Sequence, residues 1–112
     1  MLSKTNRLRG KKDFEEVFKT GDTYRSAFLT LRVLKNSSGP VRFGFVVSTK
    51  VSKSAVVRNK IKRRLSESVR SLLLKKKTGA DVAVIALPSA EKKGFSEINE
   101  AVESLFKKAR LI

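Results

Sequence analysis

The chain contains neither cysteine nor histidine. Those absences exclude a disulfide framework, thiolate nucleophiles, a histidine general base and the nitrogen and sulfur ligand sets of zinc. Acidic residues are also few, 10 Asp and Glu against 26 Lys and Arg, for a net charge of +16. Any catalysis or metal binding by the polypeptide would fall to Asp13/Glu15/Glu16, Asp22, Glu67, Asp81, Glu91 and Glu97/Glu100/Glu103. None of these groups shows the spacing of a metal-ligand motif. The last set fits the early turns of a helix, where the macrodipole favours acids. No apolar run approaches the roughly 18 residues of a membrane span, and no apolar signal-peptide segment follows Met1. The expectation is a cytoplasmic protein without a membrane partner, a catalytic residue of its own or a bound metal.

What remains is a globular composition, 40% apolar and 32% charged over 112 residues. That is enough for one domain with a modest core, residues 1–112. The charge points to polyanionic partners, nucleic acid first and anionic membrane second.

The charge is concentrated. From Lys50 to Lys77 lie the cations Lys50, Lys53, Arg58, Lys60, Lys62, Arg63, Arg64, Arg70, Lys75, Lys76 and Lys77, with Glu67 the single acid. Within this stretch Val57, Ile61, Leu65, Val69 and Leu72 recur every three or four residues. That period predicts an amphipathic helix whose apolar stripe covers about a third of its circumference. Asn59, Arg63, Ser66 and Arg70 fall opposite the stripe, with Arg58 and Lys62 on one flank and Arg64 on the other. Like charges four residues apart, Arg58 with Lys62 and Lys60 with Arg64, oppose helix formation. A basic face of this kind is either merely solvated or built for a polyanion. Eleven cations against one acid exceed what solubility requires. Arginine also brings a fork that grips phosphate in a bidentate manner, and Asn59 can both donate and accept.

Elsewhere, residues 1–7 read as a mobile basic arm, and Met1 to Gly10 together carry Lys4, Arg7 and Arg9. Lys11 to Lys19 reads as a short helix with Phe14, Val17 and Phe18 on one side, ended by Gly21. Strands are predicted at Phe28 to Leu34 and Val41 to Ser48, with a turn at 36–40 between them. Gly44 interrupts one face of the second strand, which implies a close approach to its backbone. Thr78-Gly79 is expected to stop the long helix, and Val82 to Leu87 is a strand covered on both faces. A last helix buries Ile98, Ala101, Val102, Leu105 and Ala109. The order is α-β-β-α-β-α, an α+β domain, with room for a short extra strand at Asp22 to Arg25. Spacing alone makes Phe14 and Phe18 core residues; the alternative is a platform on which unpaired bases stack.

Arg58-Asn59-Lys60-Ile61-Lys62-Arg63 with Glu67 beyond it is similar to the RN-x-x-KR-x-x-RE signature of the bacterial ribonuclease P protein subunit. Val46-Val47-Ser48-Thr49-Lys50 resembles that family's strand leading into the signature helix, and Asn6-Arg7-Leu8, Asp13-Phe14 and Val17-Phe18 its first helix. Leu105-Phe106-Lys107-Lys108 fits its last one. The chain departs from the pattern at Ser66, where Arg is usual, at Thr49, where Lys is common, and at Leu31, near an aromatic position. The resemblance implies a single α/β sandwich with the signature helix in a left-handed crossover, against the general rule. It implies a protein that supports removal of the 5′ leader from precursor tRNA, catalysis and magnesium belonging to a partner RNA, with no further protein partner required. It assigns Lys50, Lys53, Arg58, Asn59, Lys60, Lys62, Arg63, Arg64 and Arg70 to that RNA. Phe14, Phe18 and Leu31 are assigned to a cleft for the leader. The rival class is a structural ribosomal or double-stranded-RNA-binding protein, which would share the charge without the signature. A DNA-reading helix-turn-helix is third, and would need a short helix before the basic one.

Overall fold

Ser54 starts the long helix. Its Oγ accepts a hydrogen bond from the Val57 amide at 3.3 Å, meeting one of the amide donors that a helix start leaves unpaired. The helix, α2, then runs over Ala55–Leu72. The computed structural model describes residues 4–8, 10–36, 39–76 and 78–112. Around α2 lie α1 (Lys11–Thr20), β1 (Asp22–Arg25), β2 (Leu29–Asn36), β3 (Val41–Val46), β4 (Gly79–Ala86) and α3 (Phe95–Lys108). The extra strand that the sequence left room for is therefore β1.

The four strands form one sheet in the order β1-β2-β4-β3. The β1/β2 and β2/β4 pairs are antiparallel, and β3/β4 is parallel. Parallel neighbours need a crossover, and α2 supplies it between β3 and β4. Strand β4 is central, which is why its sequence reads as a nearly continuous apolar run. Ala80, Val82, Val84 and Ala86 join Leu29, Leu31, Val33, Val41 and Phe43 beneath α2 and α3. Ile61, Leu65, Val69 and Leu72 enter that core from α2, and Ile98, Val102, Leu105 and Phe106 enter it from α3. Val57, the first residue of the stripe, is only half-buried. Ser68 also lies on the buried side of α2, where its hydroxyl donates to Asn99 Oδ1 of α3 at 2.8 Å.

The opposite face of the sheet carries α1. Val17 packs there with Leu8 and Ala83, and Phe14 and Leu34 complete the cluster. Ala83 and Gly44 are register partners across β4 and β3, so the strand surface beneath the helix is low. Gly21 ends α1 as expected. A Cβ on it would lie 2.5 Å from the Val17 carbonyl oxygen and 3.0 Å from that of Val33.

Three differences from the sequence expectations bear on the site, beyond shifts of one or two residues at the ends of α1, β2 and β3. Lys4 to Asn6 form a 3-10 turn, Asn6 Nδ2 donates to the Val41 carbonyl at 2.9 Å, and the Leu8 amide donates to the Phe43 carbonyl at 2.8 Å. The described part of the arm is thus docked along the outer edge of β3, with Leu8 buried, and is not a loose tail. Second, α2 stops at Leu72, its last buried stripe residue, and a 3-10 turn over Leu73–Lys75 follows. Third, Gly79 opens β4 opposite Asn36, because pairing with β2 continues to the end of that strand. The start of the arm at 1–3, Arg9, the middle of the turn at 37–38 and Lys77 lie outside the described residues.

Candidate nucleic-acid interface

Between α1 and α2, beside the edge strand β3, a groove of about 650 Å³ opens. Its lining joins two kinds of residue. Phe14, Leu8, Gly44, Phe43 and Phe45 give an apolar, largely aromatic floor and wall, while Asn59, Lys62, Arg63 and Arg7 give polar and cationic groups. Phe14 is half-buried, and the Phe14 and Phe18 ring centroids are 6.4 Å apart at an interplanar angle of 21°. Phe18 does not line the groove; it lies one helical turn further on, 42% exposed.

The sheet-facing side of α1 is tied down by charge. Arg42 projects from β3 on the same side as Gly44. Its Nε and a terminal nitrogen donate to Asp81 Oδ1 and Oδ2 at 2.7 and 2.6 Å, and its other terminal nitrogen reaches Asp13 Oδ2 of α1 at 3.4 Å. The hydrogen bonds with Asp81 raise the pKa of Arg42 above the usual arginine value against the opposing effect of burial, and the Asp13 charge adds to the rise. At its other end, α1 is held by the Arg32 guanidinium, which donates to the Phe18 carbonyl and to Thr23 Oγ1.

The residues singled out by sequence divide by position. Asn59, Lys62 and Arg63 meet Phe14 at the groove. Lys50 and Lys53 stand exposed in the loop before α2, and Lys60 is exposed on the helix away from the groove. Arg58 is half-buried and donates to the Ser52 carbonyl at 2.9 Å, fixing the loop to the first turn of α2. Arg64 is half-buried and donates to the Lys93 carbonyl at 3.0 Å. Arg70 is exposed and lies 4.0 Å from Glu67.

Two expectations need correction. Leu31 has 0% exposure and packs on the other face of the sheet, beneath α2 and α3. Alternation along β2 turns it away from α1, so it cannot line a cleft on the α1 side. Ser66 was expected on the outer face of α2, yet it is 7% exposed, with its short side chain in the lining of the groove. Arg7, Leu8 and Phe45 were missed. Alternation along β3 puts Phe45 on one face with Phe43 and Val47, which hides its place in the groove, and the arm docks through Asn6 Nδ2 and the Leu8 amide on β3 carbonyls, a long-range contact with no local signal.

Among the described residues no group of three or more Asp or Glu side chains could hold a metal ion. Nor is any described helix long and apolar enough to cross a membrane.

Comparison with known proteins places the chain in context. The family model described as Ribonuclease P matches residues 2–110. The ribonuclease P protein component of Pseudanabaena sp. (strain PCC 6903) is 39% identical over 113 residues, with 100% of this chain and 97% of the relative covered. That of Clostridium botulinum (strain 657 / Type Ba4) is 43% identical over 107 residues, covering 95% and 96%. Among solved structures, the Staphylococcus aureus RNase P protein superposes with a TM-score of 0.86 at 28% identity, covering 96% of this chain and 98% of the other. The Thermotoga maritima RNase P protein gives 0.82 at 29% identity, covering 91% and 96%.

Proposed function

The chain belongs to the ribonuclease P protein component family, and we propose that it binds the family's RNA subunit through the outer face of α2 while the groove beside Phe14 holds the unpaired 5′ leader of precursor tRNA. Its part in tRNA 5′ processing is that of a subunit. The observation that carries the reading is the composition of the groove, in which Phe14 and Phe45 share one cavity with Asn59, Lys62 and Arg63. A single strand needs that combination, since bases stack on rings whatever their identity while phosphates meet cations. A duplex-binding ribosomal protein would have no use for aromatic rings beside its basic helix.

Catalysis is assigned to the RNA. The chain has no histidine or cysteine, and its described carboxylates form no metal-binding cluster. Magnesium is assigned with catalysis to the RNA-containing holoenzyme. The protein would lower the magnesium demand by supplying fixed cations where RNA strands approach each other. The cytoplasm, where precursor tRNA is made, is the corresponding compartment, and no further protein is needed for the assembly.

The test is reconstitution. The purified chain, freed of nucleic acid, is added to ribonuclease P RNA at low magnesium and 5′ cleavage of precursor tRNA is followed. Cleavage should require the RNA and be stimulated by the protein. Nuclease activity that survives exhaustive RNA removal and is lost on replacing a carboxylate would overturn the assignment.

A further inference from the structure

On the adjoining flank of α2, against the start of α3, lies a second hollow of about 230 Å³, lined by Arg63, Arg64, Ser66, Glu67 and Phe95. Nothing in the groove's function accounts for it. Phe95, the first residue of α3, is 47% exposed. Single exposed apolar residues are ordinary; Leu74 and Val56 are 97% and 76% exposed and line neither hollow. Phe95 differs because it shares a concavity with Arg63, Arg64 and Glu67, whose side-chain stems line it. Arg64 is already held by the Lys93 carbonyl at 3.0 Å, which fixes the segment before Phe95 to α2. Arg63 lines both hollows, so the second is continuous with the cationic face of the helix.

We propose that this hollow receives one unpaired base of the RNA subunit, stacked on Phe95, with its amino edge toward Glu67 and its phosphate toward Arg63. The inference rests on the reading of α2 as the RNA-binding face. Glu67, with Arg70 4.0 Å away, favours a base over the backbone as the occupant: a carboxylate repels phosphate but accepts hydrogen bonds from exocyclic amines. It is the one acid in the whole stretch from Lys50 to Lys77. The almost wholly apolar lining favours a flat, weakly hydrated group over a phosphate. The hollow's size admits one base and excludes a duplex. The three side chains thus supply the three contacts that an unpaired nucleotide offers: a face, an amino edge and a phosphate.

The experiment measures the affinity of the full chain and its variants for transcribed ribonuclease P RNA across a salt series, with thermal melts alongside. Phe95→Ala should weaken binding roughly 5- to 100-fold, the range of one lost base stack, without altering the slope of log K against log salt. Phe95→Trp should bind at least as tightly as the parent. Phe95→Leu should keep the parental melting temperature and still lose affinity, which separates stacking from packing. Arg63→Ala should flatten the salt slope by about 0.7–0.9. Parental RNA affinity in Phe95→Ala or Phe95→Leu, with Arg63→Ala weakened, would leave α2 as the RNA face and overturn the base site. That same result would be obtained if the hollow served a protein. Parental affinity in all variants, Arg63→Ala included, would sink the reading of α2 and the base site with it.

Discussion

The ring of Phe14 stands where a side chain on residue 44 would be. A Cβ built on Gly44 would lie 2.1 Å from Phe14 Cζ and 2.5 Å from one of its ring neighbours, inside any permitted contact. The glycine is therefore part of the groove, since it lets the ring lie against β3. Gly44→Ala should push the ring or the whole of α1 outward. Overpacking of this kind costs about 1–3 kcal/mol. The melting temperature should fall, and the preference for precursor over mature tRNA should fall with it. A variant that melts and discriminates like the parent would show that the contact is slack.

Arg42 supplies the second tie on α1, and it distinguishes cations used for folding from cations available to RNA. Its guanidinium is held by Asp81 and Asp13, with side-chain exposures of 33% for Arg42 and 15% for Asp81. Losing hydrogen bonds to charged groups costs about 1.5–3 kcal/mol, toward the lower end at this exposure. Arg42→Ala should therefore destabilise the chain and leave the salt slope of RNA binding unaltered. The raised pKa of Arg42 means that its contribution is complete below the usual arginine value and is lost only as pH rises through the still higher folded value, in strong alkali. Deprotonation of Arg42 should contribute nothing to the stability profile at neutral or mildly alkaline pH. A flattening of the salt slope by about 0.7–0.9 would mean that Arg42 binds phosphate after all.

The two sides of α2 should separate in the same way. Ile61 is 1% exposed and Leu65 is 0% exposed, so Ile61→Ala or Leu65→Ala should cost about 2–5 kcal/mol in stability. Once folded, either variant should bind RNA with the parental salt slope. Lys62→Ala should melt like the parent and flatten the slope by about 0.7–0.9. Lys92, exposed and lining neither hollow, is the control. An equal loss from Lys92→Ala would argue for diffuse attraction over a dedicated face.

The helix α2 could be read from sequence because period and charge agreed along it, and its buried stripe is the one the spacing gave, apart from half-buried Val57. Gly44 could be read because an isolated glycine in a strand implies a close neighbour, though not that the neighbour is Phe14. Leu31 was misplaced because alternation divides a strand into two faces without saying which layer covers each. That depends on β4 entering between β2 and β3, a long-range pairing with no local signal. Ser66 was read as solvated because a helical wheel describes one helix alone, and the walls that shade it come from elsewhere. The second hollow needed Phe95 beside Arg64, residues joined only by the packing of α3 on α2.

Phe14 and Phe18 share one side of α1 but should not share one role. Phe14 is half-buried, rests on Gly44 and lines the groove; Phe18 is 42% exposed and does not. A base stacked on an aromatic side chain contributes roughly 1–3 kcal/mol. Phe14→Ala should therefore weaken precursor binding to the holoenzyme several-fold or more, and it should also lower the melting temperature, because the ring belongs to the packing of α1. Mature tRNA lacks the leader, so its affinity should barely change. Phe18→Ala should leave the melt close to the parent's and reduce the precursor-to-mature ratio less than Phe14→Ala does. Phe14→Leu separates the two effects at the first position, since it retains apolar bulk against β3 while removing the stacking face. It should recover most of the lost stability and little of the lost ratio. If the ratio for Phe14→Leu returns to the parental value together with the melt, the ring acts by packing alone, and the leader is held by Asn59, Lys62 and Arg63 without it.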